Sequence, residues 1–341
     1  MKCVKLKGPR KLEVGELEDS ISKNGNVVIE VKKTGICGSD LHFWNLGQMI
    51  DLVLGHEFSG VVIDPGSRED LKVGDKVTAL PFSPCGKCQG CKAGKPQYCP
   101  NIWNEATGLS VANSGGLAEK LSIRPDMVLK LPDNVSFEEG AMVEPAAVGL
   151  HAVHLANMKV GSKVLVIGAG IIGLVTAMFA KMAGASYVAI SETNELRGKK
   201  SVDLGVADKW YDAKDPKMVE TAMTETNGGF DIIFDCCGNS PTISTALMAT
   251  RPGGEIILVG ISLEPVTVPA VLAAMHEVTI KGVNAYEVPD FEIVIDLMAT
   301  NKINMLQFVD DIVGLEDVQK SYERLSSGTD SAVKILVDPN K

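Results

Sequence analysis

A glycine motif between an apolar strand and an apolar helical pattern constrains the fold of this chain most strongly. Residues 164–173 read VLVIGAGIIG, which places Gly168, Gly170 and Gly173 at the spacing G-x-G-x-x-G. In such a turn the first glycine permits the sharp bend, the second leaves room for a pyrophosphate, and the third lets helix and strand pack closely. The helix N-terminus, which carries Ile171 and Ile172, offers free N–H groups to the anion. On its own the motif is weak, because other α/β units also contain glycine-rich turns.

An acidic residue supplies the context that the motif requires. Glu192 follows the next predicted strand about 20 residues on, where a carboxylate accepts hydrogen bonds from an adenosine ribose. The same carboxylate repels a 2′-phosphate, and Thr193 and Asn194 provide no cation, so NAD is favoured over NADP. Arg197 follows one helical turn later and is predicted to stack or pair near the adenine. The nicotinamide end is predicted to be lined by a main-chain stretch after a later strand, Val259, Gly260 and Ile261.

The alternation of strands and helices from Lys163 onward predicts a doubly wound parallel sheet, so the fold class is α/β. Strands are predicted at residues 163–167, 186–191, 209–211, 230–235, 255–259 and 278–281. Helices are predicted at residues 171–183, 195–204, 216–225, 241–249 and 269–275. The last of these strands lies at an edge of the sheet, where it can pair with the same strand of a second copy.

The residues before this region have a different pattern. Short strands separated by Gly and Pro predict a small β-barrel or sandwich that opens with a hairpin over residues 1–14. Residues 34–42 are predicted to be a loop, and a capping box at Ser136 and Glu139 starts a helical stretch. The predicted domains are therefore residues 1–150, residues 151–285 and a C-terminal segment, 286–341, that packs back onto the first.

Overall charge and the N-terminal residues argue against several classes of protein. A formal net charge of −10 disfavours a nucleic-acid partner, which needs a basic face. Residues 1–14 carry charges where a secretory signal needs an apolar core. The uncharged run 164–180 has 17 residues, fewer than the roughly 20 that span a bilayer. The sequence thus predicts a cytoplasmic protein with reduced thiols and no membrane partner.

Four cysteines have the spacing of a metal site. They follow the pattern C-x2-C-x2-C-x7-C and are Cys85, Cys88, Cys91 and Cys99. Four-coordinate sites made of cysteine alone are closed, and they hold structural zinc. One alternative is an iron–sulfur cluster, although the ferredoxin run has three residues before its last cysteine where this chain has seven. Unliganded thiols are the other alternative. We predict a structural zinc lobe over residues 85–99.

A second set of residues offers the mixed S, N and O ligands of a catalytic zinc site. It consists of Cys37, His56, Glu57 and Glu144. Zinc with one open position lowers the pKa of a bound oxygen, which suits oxidation of an alcohol. Spacing leaves alternatives open, because His56 can be a buried histidine with its hydrogen bonds satisfied, Cys37 a packed thiol and Glu144 a helix-terminal acid.

Several motifs together resemble the zinc-dependent medium-chain dehydrogenase/reductase superfamily along nearly the whole chain. They are G35-I-C-G-S-D-x-H42, G55-H-E-x-x-G60, V73-G-D-x-V77, the four-cysteine lobe, G115-G-x-A-E119, E144-P145 and the glycine motif. The resemblance implies a GroES-like catalytic domain, a Rossmann domain that binds NAD, and two zinc ions per subunit. It makes Cys37 and His56 catalytic-zinc ligands, with Glu57 a ligand or near-ligand and Glu144 the second acid. It also assigns Ser39 and His42 to a proton relay, and Asp40 to anchoring the ligand loop.

Within that superfamily, the acid pair and the intact cysteine lobe are similar to the polyol (sorbitol) and butanediol dehydrogenases. The implied reaction transfers a hydride between a secondary alcohol, a vicinal diol or polyol, and NAD, giving the ketone. The alternatives are a threonine 3-dehydrogenase-like enzyme, a galactitol-1-phosphate-type dehydrogenase, and a homologue that binds cofactor without turnover. The resemblance also implies a homodimer or homotetramer. Phe43, Trp44 and Trp103 are predicted either to line the substrate pocket or to lie in the core.

Overall fold

The computed structural model of the protein describes every residue from Met1 to Lys341, and its internal contacts divide the chain into two units. The first unit comprises Met1–Glu144, Glu287–Ser327 and Lys334–Lys341. The second unit comprises Pro145–Tyr286 and Gly328–Val333. Both contain helices and sheets, so the predicted α/β class is confirmed.

The first stretch of the first unit is mainly short strands. In chain order its elements are β1 (Lys2–Gly8), β2 (Lys11–Glu16), β3 (Val27–Gly35), α1 (Gly38–Leu46), β4 (Glu57–Asp64), β5 (Lys76–Ala79), α2 (Gln89–Lys92), β6 (Lys120–Ile123), β7 (Val128–Lys130) and α3 (Phe137–Ala141). The predicted N-terminal hairpin is confirmed, since β1 and β2 pair antiparallel. The predicted capping box is also present at the start of α3, where Ser136 accepts a hydrogen bond from the N–H of Glu139.

The second unit alternates strand and helix as predicted. Its elements are α4 (Val143–Leu155, which begins in the first unit), β8 (Lys163–Ile167), α5 (Ile171–Met182), β9 (Tyr187–Glu192), α6 (Glu195–Asp203), β10 (Lys209–Asp212), α7 (Met218–Glu225), β11 (Phe230–Asp235), α8 (Ser240–Ala249), β12 (Thr250–Leu258), α9 (Ala270–His276) and β13 (Thr279–Gly282). The six strands form one parallel sheet in the order β10-β9-β8-β11-β12-β13. This order confirms the doubly wound sheet. Its core is apolar because helices cover faces rich in Val, Ile and Leu.

The chain then returns to the first unit. The remaining elements are α10 (Val288–Ala299), β14 (Asp311–Val313), α11 (Val318–Ser327) and β15 (Ile335–Val337). The sheet of the first unit has the order β14-β15-β3-β4-β5-β7, and β6 pairs with β3. Strand β15 is hydrogen-bonded antiparallel to β3, the strand that leads into the Cys37 segment. Three-residue β14 was not predicted. Across the whole chain, no helix combines the length and the apolar character that crossing a bilayer requires.

Candidate functional site

The segment that carries Cys37 is a helix start and not the predicted loop. Cys37 is the N-cap of α1, and Asp40 at the third helical position accepts a hydrogen bond from the Cys37 N–H at 3.1 Å. Gly47, with a φ of +62°, ends the helix in the left-handed conformation. The prediction of a loop was wrong because α1 buries only Asp40 and Trp44, so the sequence shows no apolar helical period.

Three of the predicted metal ligands lie together. One ligand atom each from Cys37, His56 and Glu57 lies within 4.8 Å of the others, and His56 and Glu57 are buried. Sheet pairing brings them together, since Gly35 at the end of β3 pairs with Glu57 at the start of β4. A Cβ at Gly35 would collide with the Glu57 carboxylate, so this close approach requires glycine.

The charge around His56 fits a metal dication. Its Nδ1 lies 3.3 Å from Oδ1 of Asp40, whose side chain is completely buried. Burial opposes the imidazolium, yet the charges of Asp40 and Cys37 outweigh it and raise the pKa of His56 well above its usual value. Zinc binds through the sulfur and nitrogen atoms that Cys37 and His56 provide, and a carboxylate beside the ligating imidazole is the usual support for such a ligand. The donor set therefore fits the metal.

Lys334 is a residue of this site that sequence reasoning missed. It directly precedes β15, its side chain is completely buried, and its Nζ donates to both Glu57 oxygens, at 2.6 and 2.9 Å. A third hydrogen bond of 2.9 Å reaches the main-chain oxygen of Ile36, next to Cys37. Although burial opposes the charge, Glu57 and Cys37 raise the pKa of Lys334. The lone sequence signal was a lysine inside an otherwise apolar strand pattern, AVKILV.

Glu144 is not a member of the three-residue ligand group. It is buried in the first turn of α4 and contributes to the electrostatic environment of Lys334. The structure therefore separates the two predicted acids: Glu57 lies with Cys37 and His56, and Glu144 lies outside that group. The ligand role of each remains a prediction.

The other predicted side chains, four on α1 together with Trp103, are divided between surface and core. Ser39 donates a hydrogen bond of 3.3 Å to the Cys37 sulfur, and His42 is exposed one helical turn later. Phe43 is half-buried and Trp103 is 42% exposed, so both remain candidate pocket walls. Trp44 is fully buried against Tyr322 and therefore belongs to the core.

The four-cysteine lobe forms a second ligand group. The sulfurs of Cys85, Cys88, Cys91 and Cys99 lie within 4.8 Å of one another. Main-chain N–H groups point at them, with Cys85 donating to the Cys99 sulfur at 3.3 Å and Cys91 to the Cys88 sulfur at 3.5 Å. Hydrogen bonds from the backbone of Lys87 and Cys88 lower the pKa of Cys85 to about 6, whereas burial and the hydrogen bond with Cys88 raise the pKa of Cys91 to about 11. Such N–H donors stabilise thiolates, the form that binds zinc, so this donor set also fits the metal.

The glycine turn in the second unit has the geometry of a pyrophosphate site. Gly168 adopts a φ of +100°, and a Cβ at Gly173 would collide with the Gly168 oxygen. Gly170 is the N-cap of α5, and a Cβ added there would meet nothing within 4 Å. The first turn of α5, with Ile171 and Ile172, thus presents its N–H groups to open space.

The predicted ribose acid lies beside that turn. Oε2 of Glu192 accepts the Ala169 N–H at 2.7 Å, and Oε1 accepts the Asn194 N–H at 2.8 Å. Arg197 lies in the first turn of α6, half-buried, and its Nε has no hydrogen-bond partner. The glycine turn can therefore bind the phosphates of a nicotinamide nucleotide, and the Glu192 carboxylate can bind its ribose.

The predicted nicotinamide stretch follows β12 at the same sheet edge. The N–H groups of Val259 and Gly260 both donate to the main-chain oxygen of Asp235, each at 2.8 Å. Ile261 is 68% exposed. A Cβ at Gly260 would come within 2.7 Å of the Cys236 and Cys237 backbone, which explains a glycine at this position. These residues lie at the carboxyl ends of parallel strands, the usual ligand-binding edge.

Comparison with known families matches two segments of the chain. Residues 23–133 match the alcohol dehydrogenase GroES-like domain, and residues 172–300 match the zinc-binding dehydrogenase family. Sorbitol dehydrogenase of Homo sapiens is 34% identical over 323 residues, covering 92% of this chain and 89% of that protein.

Solved structures show the same similarity. The crystal structure of 2R,3R-butanediol dehydrogenase from Bacillus subtilis superposes with a TM-score of 0.88 at 31% identity, covering 99% of each chain. A zinc-binding dehydrogenase from Sinorhizobium meliloti 1021, solved with NADP bound, superposes with a TM-score of 0.90 at 27% identity, again covering 99% of each chain.

Proposed function

The chain belongs to the family of zinc-binding alcohol dehydrogenases with a GroES-like domain, and from this premise we propose that it transfers a hydride between a vicinal diol or polyol and NAD, giving the ketone. The observation that carries the proposal is the buried ligand group of Cys37, His56 and Glu57. Sorbitol and butanediol dehydrogenases among the similar proteins support the diol or polyol class.

Cys37 and His56 would hold the catalytic zinc. When bound there, zinc supplies a Lewis acid that polarises the alcohol oxygen and favours loss of its proton. Lys334 donates hydrogen bonds to both oxygens of Glu57 and offsets the charge of that carboxylate. We therefore expect Glu57 to be a weaker third ligand than an isolated carboxylate. Glu144 is the second acid of the site. The cysteine lobe would hold the other zinc, giving two per chain.

We also propose that Ser39 and His42 carry the alcohol proton away. The Ser39 hydroxyl lies beside the Cys37 sulfur, and His42 lies three positions further along α1, so the two share one face of the helix. Because His42 is exposed, it can release the proton to water. We propose that Oγ of Ser39 accepts the alcohol proton while its own hydroxyl proton passes to a ring nitrogen of His42, which then releases a proton to water.

A substrate panel with a zinc assay tests the proposed function. We expect two zinc ions per chain and faster NADH formation with vicinal diols and polyols than with threonine or sugar-alcohol phosphates. Faster turnover of threonine or of a galactitol-1-phosphate-type substrate would assign the chain to one of those sibling activities. Two zinc ions without any NADH formation would favour a homologue that binds cofactor without turnover.

The geometry of Glu192 supports NAD as the cofactor. Glu192→Ala removes the carboxylate that repels a 2′-phosphate and leaves Arg197 nearby to pair with it. We expect the ratio of kcat/KM for NAD over NADP to fall by about 10- to 100-fold. Steady-state kinetics with both cofactors measure this ratio.

The matched control is Glu195→Ala, which removes an exposed acid that pairs only with Lys199 in the next turn of α6. That variant should leave the ratio unchanged. Equal efficiency with NAD and NADP in the unmodified enzyme would contradict the assignment of NAD.

We also propose that the chain forms a homodimer, or a tetramer built from such dimers, through the edge strand β13. That strand pairs only with β12, and the residues that precede it in the chain include exposed large apolar side chains, namely Ile261, Leu263, Val268, Val271 and Met275. An unpaired strand edge flanked by apolar surface is covered most simply by its own twofold mate.

Charge in this surface should weaken the dimer. Val271 and Met275 lie four positions apart on α9 and are 63% and 74% exposed, so they share one exposed face. We expect Val271→Glu with Met275→Glu to halve the mass measured by light scattering. Val160→Glu, at a residue 90% exposed outside this surface, is the control. A monomeric unmodified protein would contradict the proposal.

We also propose a cytoplasmic location, where the free cysteines of both ligand groups stay reduced.

A further inference from the structure

Tyr322 on α11 carries a buried hydroxyl whose role the chemistry above does not explain. Its side chain is completely buried, and no protein donor or acceptor lies within hydrogen-bonding distance of its oxygen. The ring packs edge-on against Trp44, with centroids 5.9 Å apart and planes at 61°. A buried hydroxyl without a partner is costly, and phenylalanine would fill the same space without that cost.

The face of α1 that Tyr322 contacts also carries Asp40. Asp40 and Trp44 lie four positions apart and are the two buried residues of this helix, so they share its buried face, on which Trp44 contacts Tyr322. The electrostatics agree, because burial and the charges of Asp40, Cys37 and Glu57 raise the pKa of Tyr322. The charge of the Asp40 carboxylate therefore acts on the Tyr322 hydroxyl, although the two groups form no direct hydrogen bond.

One carboxylate oxygen of Asp40 can accept further hydrogen bonds. Oδ2 of Asp40 accepts the Cys37 N–H, and its Oδ1 lies 3.3 Å from His56 Nδ1, although neither of these last two atoms has a hydrogen-bond partner. A carboxylate oxygen has two lone pairs, so Oδ1 can accept a hydrogen bond from His56 and a second one from another donor. The Tyr322 hydroxyl and Oδ1 of Asp40, both without a hydrogen-bond partner, thus lie in the same buried region.

We propose that one buried water molecule joins the Tyr322 hydroxyl to Oδ1 of Asp40, which makes Tyr322 a positioning residue for the zinc ligand His56. A single water satisfies both groups, as buried waters with two to four polar partners do. Asp40 in turn fixes the orientation of the His56 ring, and residues that support a metal ligand in this way commonly tune affinity by about 10- to 100-fold. This inference rests on the proposed zinc at Cys37 and His56.

Tyr322→Phe in the zinc-loaded full-length protein tests the proposal. We expect one of the two zinc ions to be lost to a chelator about ten times faster than in the unmodified chain. The second zinc, in the cysteine lobe, serves as the internal reference and should leave at an unchanged rate. We also expect a lower thermal midpoint, since removing the hydroxyl leaves the water and Oδ1 of Asp40 short of a donor.

Tyr211→Phe is the matched control. It removes another buried tyrosine hydroxyl, one that donates to Glu225 in the second unit, and should leave both zinc rates unchanged. Unchanged zinc loss in Tyr322→Phe would overturn the positioning role, whatever the thermal midpoint. If that variant does not fold, a high-resolution crystal structure of the unmodified protein decides, and no water between Tyr322 and Asp40 would overturn the inference. An unmodified chain that holds only the lobe zinc would instead refute the proposed function and this inference with it.

Discussion

Replacing Lys334 with methionine is expected to destabilise the zinc-free protein by about 3–5 kcal/mol. The substitution keeps most of the side-chain volume but removes the ammonium that binds both oxygens of Glu57. Glu57 has no exposed surface, so its charge would remain in the interior without this partner. Denaturant unfolding in the presence of a chelator measures the loss.

A double-variant cycle separates the ion pair from simple packing. Adding Glu57→Gln to Lys334→Met removes the unpaired charge, so the double variant should be more stable than Lys334→Met alone. Lys33→Met is the control, because Lys33 forms ion pairs with Glu138 and Asp338 in a partly exposed position. We expect it to cost no more than about 1 kcal/mol. A Lys334→Met variant no less stable than Lys33→Met would refute the account.

Removing one ligand from each metal group should affect different properties. Loss of a lobe ligand should lower stability, and loss of a ligand near Cys37 should lower catalysis. Cys99→Ser is expected to lose the lobe zinc and to destabilise the fold by about 4 kcal/mol, the scale of a lost metal site. The thermal midpoint should then fall by roughly 8–16 °C. Turnover should fall only with the folded fraction.

His56→Ala is expected to lose the other zinc and to reduce kcat/KM by about 1,000-fold, since a Lewis acid contributes several kcal/mol and each 1.4 kcal/mol is tenfold. Zinc content, thermal midpoint and kinetics measured on both variants test the pair. Cys3→Ser is the control, since Cys3 is a buried cysteine outside both groups. Loss of both zinc ions from either variant would contradict the expectation that the two zinc sites are independent of each other.

Local patterns were sufficient for the second unit and for the cysteine lobe. Each strand and helix of the parallel sheet is a continuous apolar or amphipathic stretch, and the glycine turn joins β8 to α5. The four cysteines lie within 15 residues, so short-range chain geometry brings their sulfurs together. In both cases the information lies in neighbouring residues, which a sequence pattern can represent.

The region around Cys37 was harder to predict. Helix α1 buries two residues of nine, so its pattern resembled a polar loop. Trp44 could equally have lined a pocket, and contact with Tyr322, far along the chain, places it in the core. Packing of distant residues decided both points.

The sequence by itself determined the parallel sheet, its glycine turn, the acid beside it and the spacing of the four cysteines, because these depend on short-range order along the chain. Only the tertiary structure placed Glu57 with Cys37 and His56, and brought Lys334 to that carboxylate across 277 positions of sequence. A buried charge needs a partner, but a linear pattern cannot say which of 33 lysines and arginines provides it. Here the pairing of β15 with β3 decides it, because that pairing carries Lys334 to the Cys37 segment.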